Sequence, residues 1–173
     1  MTVEKLKAAI RDVPDFPQEG ILFKDIMPVV NDPELFKMSV DLFVDRYKDK
    51  KIDMFAVIDA RGFLFGSAVA YLLGAGVAPI RKKGKLPYKT IEESYSLEYG
   101  TATLAMHVDA IEKGNRVVII DDLLATGGTA AATASLVEKV GGEIVEIAFL
   151  IELAFLKGRE KLGNYEIFAP IVF

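Results

Sequence analysis

The sequence predicts an α/β domain in which a parallel central sheet is flanked by helices. Three observations carry that prediction. Short, nearly continuous apolar runs recur at residues 54–58, 77–80, 116–120 and 144–151, the form taken by strands buried on both faces. Helical stretches at residues 63–73 and 129–140 lie between such runs and are closed by glycines. Strand, helix and strand therefore alternate, as they do in a sheet covered on both sides.

Taken in order, residues 2–11 have helical spacing in Val3, Leu6, Ala9 and Ile10, and Pro14 and Pro17 stop any continuation. Residues 12–30 read as irregular. Asn31 or Asp32 then caps a helix with Pro33 in its first turn, and Phe36, Val40, Phe43, Val44 and Tyr47 form one stripe along it. The run at 54–58 ends in Asp59, and the crossover helix at 63–73 is ended by Gly74 and Gly76. After the strand at 77–80 comes an insertion, residues 82–107, in which 94–97 and 101–106 resemble a hairpin around Tyr99 and Gly100. The strand at 116–120, an alanine-rich helix at 129–140 and the strand at 144–151 complete the pattern.

The 173 residues suit one domain, and 51% hydrophobic against 27% charged residues suits a packed core with a soluble surface. Cysteine is absent, which excludes disulfides and thiol nucleophiles, and His107 is the only imidazole. A net charge of −4 argues against a nucleic-acid-binding face. No apolar run approaches the roughly 20 residues of a membrane span, and the first ten residues alternate charged with apolar side chains. A cytoplasmic protein without membrane attachment is expected. Within this acidic chain Arg81, Lys82, Lys83, Lys85 and Lys89 fall together with no carboxylate among them, which points to an anionic ligand.

The most informative segment follows the run 117–120, where Asp121-Asp122-Leu123-Leu124-Ala125-Thr126-Gly127-Gly128-Thr129 leads into a helix. Ligands of open α/β sheets sit beyond the carboxyl ends of the strands. Gly127 and Gly128 let backbone N–H groups converge, Thr126 and Thr129 add hydroxyls, and a helix start favours an anion. Asp121 and Asp122 would repel a phosphate but suit a ribose diol or a nearby divalent ion. Together these features suggest a ribose 5-phosphate. The patterns of mononucleotide kinases and dinucleotide dehydrogenases are missing.

Residues 117–129 resemble the phosphoribosyl-diphosphate-binding motif of the type I phosphoribosyltransferases. Residues 10–17 and 20–26 are similar to the amino-terminal base-binding segment of the adenine-specific members of that family. Asp59-Ala60-Arg61-Gly62-Phe63, Arg81-Lys82 and Ser94-Tyr95-Ser96-Leu97-Glu98-Tyr99-Gly100 match them too, in order and spacing. The resemblance implies one phosphoribosyltransferase domain over residues 1–173, with an N-terminal hood at 1–30 and a flexible hairpin at 82–107. It implies transfer of the 5-phosphoribosyl group from 5-phosphoribosyl 1-diphosphate to adenine, giving AMP and diphosphate, with Mg²⁺ bound through the diphosphate substrate and a homodimer as the assembly.

The resemblance also implies roles. Asp121, Asp122, Ala125, Thr126, Gly127, Gly128 and Thr129 would hold the ribose 5-phosphate. Arg61 and Gly62 would lie in the diphosphate turn, with Arg81, Lys82 and Lys85 as further diphosphate contacts, in their own subunit or a neighbouring one. Leu22, Phe23 and Lys24 would read adenine, Phe23 stacking on the purine and Lys24 serving through its backbone, with Leu123 on the opposite face. Arg61 and Glu98 would be catalytic, Glu98 managing a proton on the base, and Tyr99 would belong to the flexible loop that closes over the reactants. A guanine- or xanthine-specific enzyme and a non-catalytic nucleotide sensor are the alternatives.

Overall fold

A computed structural model describes residues 2–97 and 100–173. Its centre is an eight-stranded sheet. The strands β3 (Met54–Ile58), β4 (Gly76–Lys82), β7 (Arg116–Leu124) and β8 (Glu143–Glu152) run parallel in the order β8-β7-β3-β4. Short strands β9 (Ile167–Phe168) and β10 (Ile171–Val172) add in parallel to β8. At the other edge the hairpin β5 (Thr90–Ser96) and β6 (Thr101–His107) joins by antiparallel pairing of β6 with β4. The predicted insertion is thus an extension of the sheet, anchored where Arg81 pairs with Ala105.

Side chains alternate along β7 as strand geometry requires. Val118 and Ile120 enter a core with Leu6, Val40, Phe43, Phe65 and Val69, contributed by α1 (Thr2–Ala9), α3 (Pro33–Tyr47) and α4 (Gly62–Leu73). Val117 and Ile119 enter a second core with Ala134, Leu136 and Val137 of α5 (Gly128–Lys139). Both faces are therefore buried, which is why these strands read as continuous apolar runs. Asp32 caps α3, accepting the N–H groups of Glu34 and Leu35 at 2.9 Å each, and Gly74 ends α4 in the left-handed conformation at φ 69°.

Residues 12–30 correct the sequence reading. They are not irregular: β1 (Arg11–Pro14) and β2 (Leu22–Asp25) form an antiparallel ribbon, followed by α2 (Met27–Asn31). Polar pairs lock the ribbon, Arg11 with Asp25 at 2.8 Å and Lys24 with Asp12 at 2.5 Å, so its strands carry none of the apolar signature of the central sheet.

Candidate active site

The chain leaves β3 through α4 toward β4 and leaves β7 through α5 toward β8, with α4 and α5 on opposite faces. The strand order reverses between β3 and β7, and a crevice opens at their carboxyl ends, where ligands of such sheets bind. Two turns lie at those strand ends: residues 59–61 after β3 and residues 125–127 after β7.

Gly127 precedes α5 at φ 81°, and a side chain on it would run into the Gly158 carbonyl, so this position requires glycine for both conformation and space. Among the described residues no side chain caps α5, which leaves its first N–H groups aimed at the crevice. A cavity of about 80 Å³ lies among Asp121, Leu123, the 125–129 turn and Phe149. That is room for several waters or one phosphate group. Gly62 packs so closely on β7 that an added Cβ would stand 2.9 Å from the Ile120 carbonyl oxygen and 3.0 Å from Asp121 Oδ1. The start of α4 is thereby held against the end of β7.

Asp121 and Asp122 lie within β7, which continues to Leu124; the sequence reading placed them in the loop after the strand. The strand persists because Leu123 and Leu124 pair with Ile151 and Glu152 of β8. Arg61 Nε donates to Asp122 Oδ2, and the Asp122 N–H donates to Asp121 Oδ1 at 2.8 Å. Burial, reinforced by the like charge of Asp122, pushes the Asp121 carboxyl well above the usual carboxylate range. Burial opposes the Arg61 guanidinium, but Asp122, Asp121 and Asp25 hold its pKa above the ordinary value. The Arg61 guanidinium also lies 5.8 Å from the centre of the Phe23 ring, which meets Phe16 edge to face at 5.1 Å. Phe23, Arg61 and the acid pair form one continuous assembly.

The basic cluster is less uniform than its sequence. Arg81 Nε donates to Asp59 Oδ2 at 2.9 Å and its Nη1 to the Lys85 carbonyl at 3.2 Å, which folds the 82–85 turn against the end of β3. Lys83 pairs with Glu92 at 2.7 Å. Lys82 and Lys85 are exposed and make no ion pair among the described residues. Leu22 is exposed, Leu123 packs partly into the α3 core, and the Lys24 ammonium is engaged by Asp12. Glu98 and Tyr99 lie outside the described residues.

Sequence reasoning missed Tyr95. Its hydroxyl stands 3.0 Å from Thr129 Oγ1, and its ring covers Gly128 so closely that a Cβ there would meet it at 3.0 Å. Lys139 of α5 pairs with Glu93 of β5, so the hairpin is docked onto the helix that begins at the glycine turn. Nothing in the local sequence signals this contact, which joins positions 34 residues apart.

A glycine turn, an acid pair and an arginine turn are gathered at this switch point. The chain belongs to the phosphoribosyltransferase family: residues 30–168 match the phosphoribosyl transferase domain. It is 54% identical to an adenine phosphoribosyltransferase from Desulfosudis oleivorans over 168 residues, 97% of each chain. Its structure is similar to that of adenine phosphoribosyltransferase from Thermoanaerobacter pseudethanolicus, with a TM-score of 0.96, 51% identity and 99% of each chain covered. The enzyme from Saccharomyces cerevisiae, solved with adenine and an imino-altritol bisphosphate, superposes with a TM-score of 0.93 at 41% identity, covering 98% of each chain. With 97% and 99% of the chain covered, these relatives also match most of residues 1–29, which precede the matched domain.

Proposed function

We propose that this crevice binds 5-phosphoribosyl 1-diphosphate and adenine, and that the chain transfers the phosphoribosyl group to the base. The observation that carries the reading is the meeting of the Arg61–Gly62 turn with the 121–129 segment at the reversal of strand order. The 5-phosphate sits on the N–H groups of residues 125–129, and Asp121 and Asp122 accept the ribose hydroxyls. Adenine lies against Phe23, its N6 donor and N1 acceptor read by the backbone of Leu22–Lys24. Adenine N9 forms a bond to the anomeric carbon as the carbon–oxygen bond to diphosphate breaks, the bonding electrons leaving with diphosphate. Glu98 takes up the proton released by the base. Arg61, with Arg81, Lys82 and Lys85, steadies the charge that grows on the leaving group.

No cluster of three or more His, Asp or Glu able to hold a metal occurs among the described residues. The donors present, two adjacent carboxylates of which Asp122 is already paired with Arg61, fit Mg²⁺ that arrives on substrate phosphate oxygens and keeps several waters. When bound, it neutralises charge on the departing diphosphate.

A homodimer belongs to this reading. Tyr71 and Leu72 of α4, 85% and 56% exposed, border an apolar groove with Phe36 and Val40 of α3 that a second copy would cover. The cytoplasm is the proposed compartment; among the described residues no helix is long and apolar enough to cross a membrane.

The test is product formation with Mg²⁺, 5-phosphoribosyl 1-diphosphate and adenine, guanine, hypoxanthine or xanthine in turn. AMP should dominate. Comparable turnover of guanine or xanthine would overturn the adenine assignment, and binding of AMP without turnover of any base would make the chain a nucleotide sensor.

A further inference from the structure

We infer that Phe173 is a positioning residue for the base: it fixes the height of β2 over the crevice by holding the Lys24 ammonium on its ring. The inference rests on the reading of β2 as the adenine-binding strand. Among the described residues the β1–β2 ribbon shares no ladder with the central sheet, so side chains hold it in place. Ile10 and Ile26 bury its flanks, and within β2 itself Phe23 and Asp25 interact with Arg61 while Lys24 meets Phe173.

The Lys24 side chain is only 11% exposed. Its Nζ stands 2.5 Å from Asp12 Oδ1 and 4.1 Å from the centre of the Phe173 ring. The same ring receives Lys7 Nζ at 4.6 Å, and Lys7 also donates to the Val172 carbonyl. An aromatic face attracts cations through its quadrupole, and the attraction strengthens as the cation loses water. Burial of Lys24 places it in that stronger regime.

The ring is itself fixed to the sheet. The Phe173 N–H donates to the Glu152 carbonyl at 2.9 Å, and its carbonyl accepts from the Ala154 N–H at 2.9 Å. Glu152 ends β8 and is held by Arg159, whose neighbour Gly158 backs the Gly127 turn. One strand end therefore supports the phosphate turn from below and the base strand through Phe173. A shift of the ring would move the Lys24 main chain, and hence the groups that read adenine, while leaving the phosphate turn on its own support.

Steady-state kinetics on Phe173→Leu, which keeps an apolar side chain and removes the quadrupole, tests this. The expected result is an adenine KM raised about fivefold, with the phosphoribosyl diphosphate KM and kcat within about twofold of the parent. Phe173→Tyr should restore the adenine KM. Lys24→Met should reproduce the Leu effect, and the double variant should raise the KM no further than either alone. If Phe173→Leu is insoluble, Lys24→Met carries the test. An unchanged adenine KM, or equal rises for both substrates, would overturn the inference. Phe23→Ala separates it from the reading beneath: an unchanged adenine KM in that variant sinks β2 as the base strand, whereas a raised one beside an unaffected Phe173→Leu sinks only the role of Phe173.

Discussion

Two acids on neighbouring strands, Glu146 of β8 and Asp121 of β7, each have an arginine nearby and behave in opposite ways. Glu146 is 1% exposed and accepts Arg46 Nε at 3.0 Å, Arg46 Nη2 at 2.5 Å and the Tyr47 hydroxyl at 2.7 Å. Burial works against its charge, yet the bonds from Arg46 and Tyr47 bring its carboxyl below the ordinary value. Asp121 accepts the Asp122 N–H and otherwise faces the like charge of Asp122, while Arg61 is committed to Asp122; burial and repulsion drive its carboxyl up. An acid whose acceptors are filled ties α3 to the sheet. One with acceptors to spare, at the crevice, suits the proposed role of receiving a ligand's hydroxyls.

The comparison is most sharply tested at the crevice. Arg61→Ala should lower kcat by about 10²-fold through lost stabilisation of the leaving diphosphate, and Asp122→Asn should raise the phosphoribosyl diphosphate KM about tenfold. Unchanged kinetics in both would remove these residues from the site. The next effect lies at the other acid. Glu146→Gln should cost about 2 kcal/mol, less than a fully buried pair because Arg46 is 39% exposed, and lower the Tm by about 4–8 °C with activity per folded molecule unchanged.

The pH dependence has opposite signs at the two acids. The folded pKa of Glu146 lies below its ordinary 4.5, so its stabilisation is complete above that pH and is lost as pH falls through the folded value. The thermal deficit of Glu146→Gln should accordingly close in acid. The folded pKa of Asp121 is raised, so its ionisation opposes folding at neutral pH and ceases to do so as pH falls. Asp121→Asn should therefore raise the Tm by about 1–3 °C near neutrality while turnover falls, and that gain should vanish in acid. A lowered Tm at neutral pH would break the contrast. The smallest effect is expected from Tyr95→Phe, about a two- to threefold rise in the phosphoribosyl diphosphate KM as the hairpin loses its bond to Thr129.

The central sheet was legible because its strands are buried on both faces: the predicted run 54–58 coincides with β3, and 63–73 misses α4 by one residue. The glycine turn was legible because its chemistry is local. The β1–β2 ribbon was not, since pairs such as Arg11–Asp25 span loops and leave no periodicity in an exposed, charged segment. The extension of β7 through Asp121 and Asp122 was hidden because its cause is pairing with β8, not the composition of the acids. Tyr95 over Thr129 and Phe173 beneath Lys24 are contacts between distant segments, carried by side chains that look like ordinary strand residues in sequence.

An amide-resolved NMR titration with ribose 5-phosphate, run beside one with adenosine, tests the central claim most directly. Ribose 5-phosphate should shift the N–H signals of residues 125–129 and of Asp122, whereas adenosine should shift Phe23 and Lys24 and leave the 125–129 turn unmoved. Shifts from ribose 5-phosphate confined to Lys82 and Lys85, with the glycine turn silent, would contradict the account.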